Sequence, residues 1–193
     1  MDAAGTRRLI LCMSASLDGF VARPDGALDW FLRRRDHEGS LGDHRHRATL
    51  ELLGQIGLIV LGRVAYQDMA RGWPGTDSPM GRLMNTLPKV VFSSTLAEVE
   101  WSNARLSREA VEDGIPALKQ EPGDDIVCFG GARFAHALAR HHLVDEYRLT
   151  IHPIALGEGK PLWHGLPEPQ RLRLIGSTVY ADGSVTNTYT RAG

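Results

Sequence analysis

The sequence predicts a single α/β domain: a three-layer α-β-α arrangement with a mixed, mostly parallel central sheet and a C-terminal antiparallel hairpin. Three observations carry this. Short apolar runs without polar alternation, such as Ile56–Leu61, recur along the chain, which is the pattern of strands buried on both faces. Helical patterns separate them, as the crossovers of a parallel sheet require. The last segments instead alternate about Asp182-Gly183, a two-residue hairpin signal.

Taken in order, Arg8–Ser14 reads as a first buried strand, followed by a polar loop with turn signals at Asp18-Gly19 and Pro24-Asp25-Gly26. A helix follows, with Asp43 at the N-cap, Leu50, Leu52 and Leu53 on its apolar side and Gly54 at its end. Ile56–Leu61 is a core strand broken by Gly62, and a helix runs from about Val64 to Arg71. Lys89–Ser93 is the next strand. Glu109–Gln120 is helical behind an N-cap at Ser107, although Gly114 and Pro116 weaken its middle. Ile126–Phe129 meets Gly130-Gly131 and passes into a helix over Arg133–His141 with an apolar stripe of Phe134, Ala137 and Leu138. Glu146–His152 is a further strand, its entrance capped and solvated by Asp145-Glu146. Leu172–Tyr180 and Ser184–Thr190 form the hairpin.

Composition bounds the function. The 193 residues suit one domain with a sizeable core, and 42% hydrophobic with 23% charged residues excludes a disordered or collagen-like chain. A net charge of -1 leaves no basic field to recruit nucleic acid or an acidic membrane. Cys12 and Cys128 read as buried, inert thiols of a reduced compartment. No apolar run reaches the roughly 18–20 residues of a membrane span, nor the roughly 7–15 of a signal-peptide core after Arg7-Arg8. A cytoplasmic protein is therefore expected. Of the 22 basic residues only Lys89, Lys119 and Lys160 are lysines.

Three strand ends share one chemical character. Leu61-Gly62-Arg63 and Phe129-Gly130-Gly131-Ala132-Arg133 each pass from strand to helix, and Ser93-Ser94-Thr95 ends another strand. Ligands of open α/β sheets bind outside the carboxyl ends of the strands. Helix N-termini offer unpaired N–H groups and a partial positive charge to phosphate, glycine lets a ligand approach the backbone, and Arg63 and Arg133 add forked donors. The three ends together read as a site for a phosphate-rich cofactor. Their spacing matches neither G-x-G-x-x-G nor G-x-x-x-x-G-K-[ST].

Several ordered blocks make the chain resemble the dihydrofolate-reductase-like superfamily, in its bacterial branch similar to the reductase domain of riboflavin biosynthesis. They are Ser16-Leu17-Asp18-Gly19-Phe20-Val21-Ala22, Asp29-Trp30, Leu61-Gly62-Arg63-Val64-Ala65-Tyr66, Trp73-Pro74, and Pro88-Lys89-Val90-Val91-Phe92-Ser93. Phe129-Gly130-Gly131-Ala132, Leu143-Val144-Asp145-Glu146 and the run from His152 to Leu162 complete the set. The resemblance implies a reductase using NADPH. It places Arg63 with Ser93 and Ser94 on the adenosine 2′-phosphate. Gly62, Val64, Ala65 and Gly131, Ala132, Arg133 and Phe134 fall along the pyrophosphate, Phe129 and Gly130 belong to the same cofactor-binding turn, and a cis peptide is implied at Gly130-Gly131. The backbone near Ala15 and Ala22 falls at the nicotinamide. Ala65 stands where the family usually has a threonine hydroxyl, a loss of about 1 kcal/mol or about fivefold in affinity.

On the substrate side the same alignment lines a pocket with Asp18, Trp30, Asp68, Met69, Trp73 and Thr150. Folate reduction needs a buried carboxylate shortly after the tryptophan. The ungapped position is Arg35, which can only donate, while a small insertion would bring Asp36 or Glu38 to it. Ser16-x-Asp18-Gly19 fits the riboflavin-pathway reading, limited to the reductase step because no zinc deaminase signature is present. Asp18 is the candidate proton donor, with a bound water as the competing one and a plain turn residue as the structural alternative. Trp30 and Trp73 would serve equally as core aromatics. His44 and His46, two apart on a helix, point to different sides and read as a solvated face rather than metal ligands, and His141-His142 complements a helix dipole. The expected function is NADPH-dependent hydride transfer to a small planar heterocycle by a homodimer, with a non-catalytic NADP(H)-binding sensor as the alternative.

Overall fold

The structure is a computed structural model and describes residues 6–32 and 43–192. From the N-terminus its elements are β1 (Leu9–Ser16), β2 (Phe20–Ala22), α1 (Asp29–Leu32), α2 (Asp43–Leu53), β3 (Ile56–Gly62), α3 (Arg63–Gly72), α4 (Pro79–Thr86) and β4 (Lys89–Phe92). They continue with β5 (Ala104–Ser107), α5 (Val111–Gln120), β6 (Asp125–Cys128), α6 (Ala132–Arg140), β7 (Glu146–His152), β8 (Lys160–Pro161), β9 (Leu172–Val179) and β10 (Val185–Arg191). The main sheet has the order β5-β4-β3-β6-β1-β7-β10-β9, and β2 pairs with β8 in a separate ribbon. Pairing is parallel from β5 through β7 and antiparallel for β7–β10 and β10–β9. The predicted three-layer fold with its mixed sheet and terminal hairpin is the fold observed.

The apolar runs divide between two cores because successive strand residues face opposite ways. Leu9, Leu11 and Met13 of β1, Leu58 and Val60 of β3 and Ile126 of β6 pack with Ile115 and Leu118 of α5 and Phe134 and Leu138 of α6. Ile10, Ile59, Leu61 and Val127 point the other way, toward Leu52 and Leu53 of α2, Tyr66 of α3 and Met80 and Met84 of α4.

Five elements escape the sequence reading: β2, α1, α4, β5 and β8. Each is short or half-buried, so none shows a continuous apolar run. Ser107, read as an N-cap, closes β5, and α5 opens after Ala110 without a side-chain cap. Gly114, which weakens α5 on propensity, is required by packing, since a Cβ there would lie 2.6 Å from Phe92 Cε1.

Charges fasten the amino edge of the sheet. Leu9 N–H donates to Asp145 at 2.7 Å, Lys119 Nζ lies 2.5 Å from the same carboxylate, and Arg8 bridges Asp125 and Glu146. Glu146 is buried between Arg8 and Arg148 rather than solvated at the strand entrance.

Candidate functional site

The sheet order places the predicted strand ends side by side. β3 lies between β4 and β6, so Gly62-Arg63 stands between Ser93-Ser94 and the turn through Phe129, Gly130 and Gly131. Both helices that leave these ends open without a side-chain cap, α3 behind Gly62 and α6 behind Gly131. Their first-turn N–H groups, at Arg63, Val64 and Ala65 and at Ala132, Arg133 and Phe134, lack intrahelical acceptors. Both therefore direct partial positive charge at the same edge.

The two openings converge closely. A Cβ on Gly62 would lie 2.7 Å from Phe134 Cβ, so only glycine lets α6 cross the end of β3. A Cβ on Gly131 would lie 3.3 Å from Ala65 Cβ and 3.9 Å from Ala65 N. A small ligand group there meets backbone from both helices at once. The Gly130-Gly131 link, expected to be cis, is trans, as no peptide bond among the described residues is cis. Instead both glycines take the left-handed region, at φ +95° and +83°, and this turns the chain. Arg63 and Arg133 are exposed, as are Val64 and Ser94.

Around the β4 end, the Ser93 hydroxyl accepts from Thr95 N (3.2 Å) and Leu96 N (2.9 Å) and so shapes its own turn. Sequence reasoning missed Arg108, which follows β5 and donates to the Ser93 carbonyl at 2.8 Å and the Ala97 carbonyl at 3.3 Å. It brings a second exposed guanidinium to the β4 corner. Its place at the end of a strand was the available signal, hidden because β5 itself was not read.

At the other end, Ala15 is buried in β1, and Ala22 is buried in β2, which pairs with β8. Asp18 joins the loop after β1 to the loop after β7. Its carboxylate accepts from the Ser16 hydroxyl at 2.6 Å, Gly157 N at 2.7 Å and Leu156 N at 3.0 Å. These bonds, the Ser16 hydroxyl foremost, hold its pKa down at about 2. Asp18 is thus a carboxylate acceptor that ties two loops together.

The residues expected around the substrate fall into two groups. Trp30 packs edge-on against His152 with ring centres 5.5 Å apart, and Phe31 lies at the same distance. The Trp30 indole N–H is buried without an acceptor among the described residues. Thr150 shares a 2.8 Å hydrogen bond with Thr186 on β10. Asp68 instead pairs with Arg71 on the surface of α3, while Met69 and Trp73 pack into the core beside α4. Among the described residues no hydrogen bond or ring contact joins this trio to Trp30 or Thr150. A cleft of about 750 Å³ lies away from the strand ends, between α3 and the segment joining β4 to β5. Arg35, Asp36 and Glu38 lie outside the described residues. Among those described, no group of three His, Cys, Asp or Glu could hold a metal ion, and no helix is long and apolar enough to cross a membrane.

Paired helix openings over a doubly covered, mostly parallel sheet with an antiparallel edge define an α/β domain of dihydrofolate-reductase-like fold. The Enterococcus faecalis dihydrofolate reductase complexed with NADP(H) superposes with a TM-score of 0.64 at 16% identity, covering 98% of this chain and 99% of that one. A Shewanella sp. PV-4 protein provisionally assigned to riboflavin biosynthesis gives a TM-score of 0.75 at 26% identity, covering 96% and 99%. The Bacillus subtilis (strain 168) protein YyaP, named only as uncharacterized, is 30% identical over 188 residues, 95% of this chain and 94% of that protein. The chain belongs to the RibD C-terminal domain family, whose model matches residues 7–186.

Proposed function

We propose that this protein is an NADPH-dependent oxidoreductase that transfers a hydride to a small planar heterocycle, pterin-like or pyrimidine-ribosylamine-like. The observation that carries the reading is the convergence of two uncapped helix openings, those of α3 and α6, on one point of the sheet edge beside the exposed Arg63. A pyrophosphate fits there because backbone N–H groups and the helix dipoles favour anionic oxygens. When bound, NADPH supplies the hydride; the chain's residues orient it and exclude water.

Arg63, with Ser93 and Ser94, takes the adenosine 2′-phosphate. Gly62, Val64 and Ala65, with the segment from Phe129 to Phe134, line the pyrophosphate. The β1 backbone at Ala15 and the β2 backbone at Ala22 border the nicotinamide. Trp30 and Thr150 face the substrate, while Asp68 and Met69 on α3 and Trp73 just after it, which the structure sets apart from them, would be at most a remote part of its surroundings. Asp18 positions the loops around this corner. Family membership and the likeness to the Shewanella protein support a reductase.

A non-catalytic NADP(H) sensor has one observation in its favour, the missing hydroxyl at Ala65. Both readings require NADPH binding, so titration with NADPH and NADH tests the shared part. Failure of both to bind below millimolar concentration would reject it. An NADPH-consumption screen over pterins, folates and pyrimidine ribosylamines separates the two, since turnover of any substrate excludes the sensor. A homodimer fits the outer strand β9, whose Leu174, Ile175 and Val179 are exposed by 53%, 51% and 74%. Light scattering tests it.

A further inference from the structure

On the sheet face shared with α2, the cover that the described residues give β1 and its neighbours is incomplete. Leu11, Met13 and Ala15 of β1 are buried against the opposite layer, whereas Ser14 on the α2 face is half-buried, as are Thr150 on β7 and Thr186 on β10. Strands in the middle of a three-layer sheet are ordinarily buried on both faces. The half-open hydroxyls therefore floor a gap in the helical cover. Register sets their order, with Ser14 opposite Thr150, Thr150 opposite Thr186 and Ser16 opposite His152.

Ser14 also stands at a lip. β6 pairs with β1 only as far as Cys128 opposite Leu11, and its chain then turns off through Gly130. Among the described residues, the part of β1 beyond Leu11 has no strand beside it on the β6 side. Ser14 thus lies where the gap on the α2 face meets the crevice between β1 and the Gly130-Gly131 turn.

Behind Ser14 is an imidazole. Ser14 Oγ lies 3.1 Å from His152 Nε2, and His152 is only 8% exposed, walled by Trp30 and Phe31. Among the described residues, Asp18 is held by three donors and Asp29 is paired with Arg23 at 2.7 Å.

We propose that Ser14, with His152 behind it, delivers the proton of the reduction, and that the substrate is a planar compound whose C=N or C=O heteroatom points at β1. This rests on the reductase reading above. The substrate carbon takes the hydride from bound NADPH, which leaves as NADP⁺. The C=N or C=O π pair moves to the heteroatom, which takes the proton of the Ser14 hydroxyl. The serine oxygen takes the Nε2 proton of the His152 imidazole as its Nδ1 takes up a proton that solvent ultimately supplies, so the ring stays neutral and changes tautomer. Ser14 is the catalytic residue and His152 the positioning and relay residue.

The test uses the whole chain. Ser14→Ala lowers kcat about 100-fold, leaves KM and the NADPH dissociation constant within twofold, and removes the solvent isotope effect on single-turnover hydride transfer. Ser14→Thr, which keeps a hydroxyl, restores kcat to within about tenfold of the wild type. His152→Gln lowers kcat and the solvent isotope effect as Ser14→Ala does. In ¹⁵N-histidine spectra of the substrate-free protein, Ser14→Ala shifts the Nε2 resonance that His152→Gln deletes. Turnover of Ser14→Ala within twofold of the wild type, or a His152 Nε2 resonance indifferent to Ser14→Ala, overturns this inference while leaving the reductase reading intact. Absence of NADPH binding in the wild type overturns the reductase reading and this inference with it.

Discussion

The carboxylate of Asp18 accepts the backbone N–H of Gly157 at 2.7 Å, tying the loop that leaves β1 to the loop that leaves β7. With Ser16 and Leu156 it holds together two segments 138 residues apart in the chain. Its effect on stability has a defined sign. The folded pKa, about 2, lies below the ordinary value of 3.8, so the unfolded chain binds the proton more readily. The contribution is complete above the unfolded value and is lost as pH falls through the folded one. Asp18→Asn therefore lowers the melting temperature at pH 7, and the gap to the wild type narrows between pH 4 and 2. A constant gap across that range would show that the charge is not what holds the loops.

Lys89 gives a slope of the same sign at the alkaline end of the pH range. It is 1% exposed at the start of β4, with Nζ bonded to the carbonyls of Leu87 (2.7 Å) and Ser102 (3.2 Å) and 4.4 Å from the Trp101 ring centre. Burial lowers its pKa from 10.5 to about 8. Between these values the unfolded chain binds more protons, so stability rises with pH. Denaturant melts from pH 8 to 10.5 should show this component in the wild type and its loss in Lys89→Met.

Arg63→Ala separates the two nicotinamide cofactors. A charge-assisted contact is worth about 1.5–3 kcal/mol, so NADPH affinity should fall about 10- to 100-fold while NADH affinity changes less than about threefold. Fluorescence titration reads both. Equal losses would remove Arg63 from the 2′-phosphate.

Gly131→Ala places a Cβ 3.3 Å from Ala65 Cβ on a residue at φ +83°. The left-handed conformation costs about 1–2 kcal/mol for a residue with a side chain, and the added methyl group narrows the space between the two helix openings. Calorimetry should find a lower melting temperature together with weaker NADPH binding. Unchanged binding would place the pyrophosphate elsewhere.

The parts of the fold legible in the sequence are those whose local signal survives burial. Ile56–Leu61 is apolar throughout because β3 has helices on both faces, and Gly62 marks its end because Phe134 crosses there. The strand-to-helix openings at Gly62-Arg63 and Gly130-Gly131 were readable for the same reason: glycines and arginines at strand ends are local features. β5 was not, since Ala104–Ser107 is half-exposed and only its pairing with β4 makes it a strand. α4 carried Ser78 and Pro79, an N-cap followed by proline, yet its mixed composition concealed it. The pairing of Ser14 with His152 depends on parallel register across 138 residues, and no short window of sequence contains it. The ties of Asp18 were not legible because its partners include two backbone N–H groups, which leave no mark in a sequence.

The ion pairs along the amino edge have an evolutionary consequence. Arg8, Lys119, Asp125, Asp145 and Glu146 fasten one rim of the sheet, while the opposite rim keeps helix ends whose donors are unspent. On the proposed reading, robustness and ligand choice fall to different rims of the sheet, so substitutions in the loops of the second rim would alter the acceptor molecule without loosening the first.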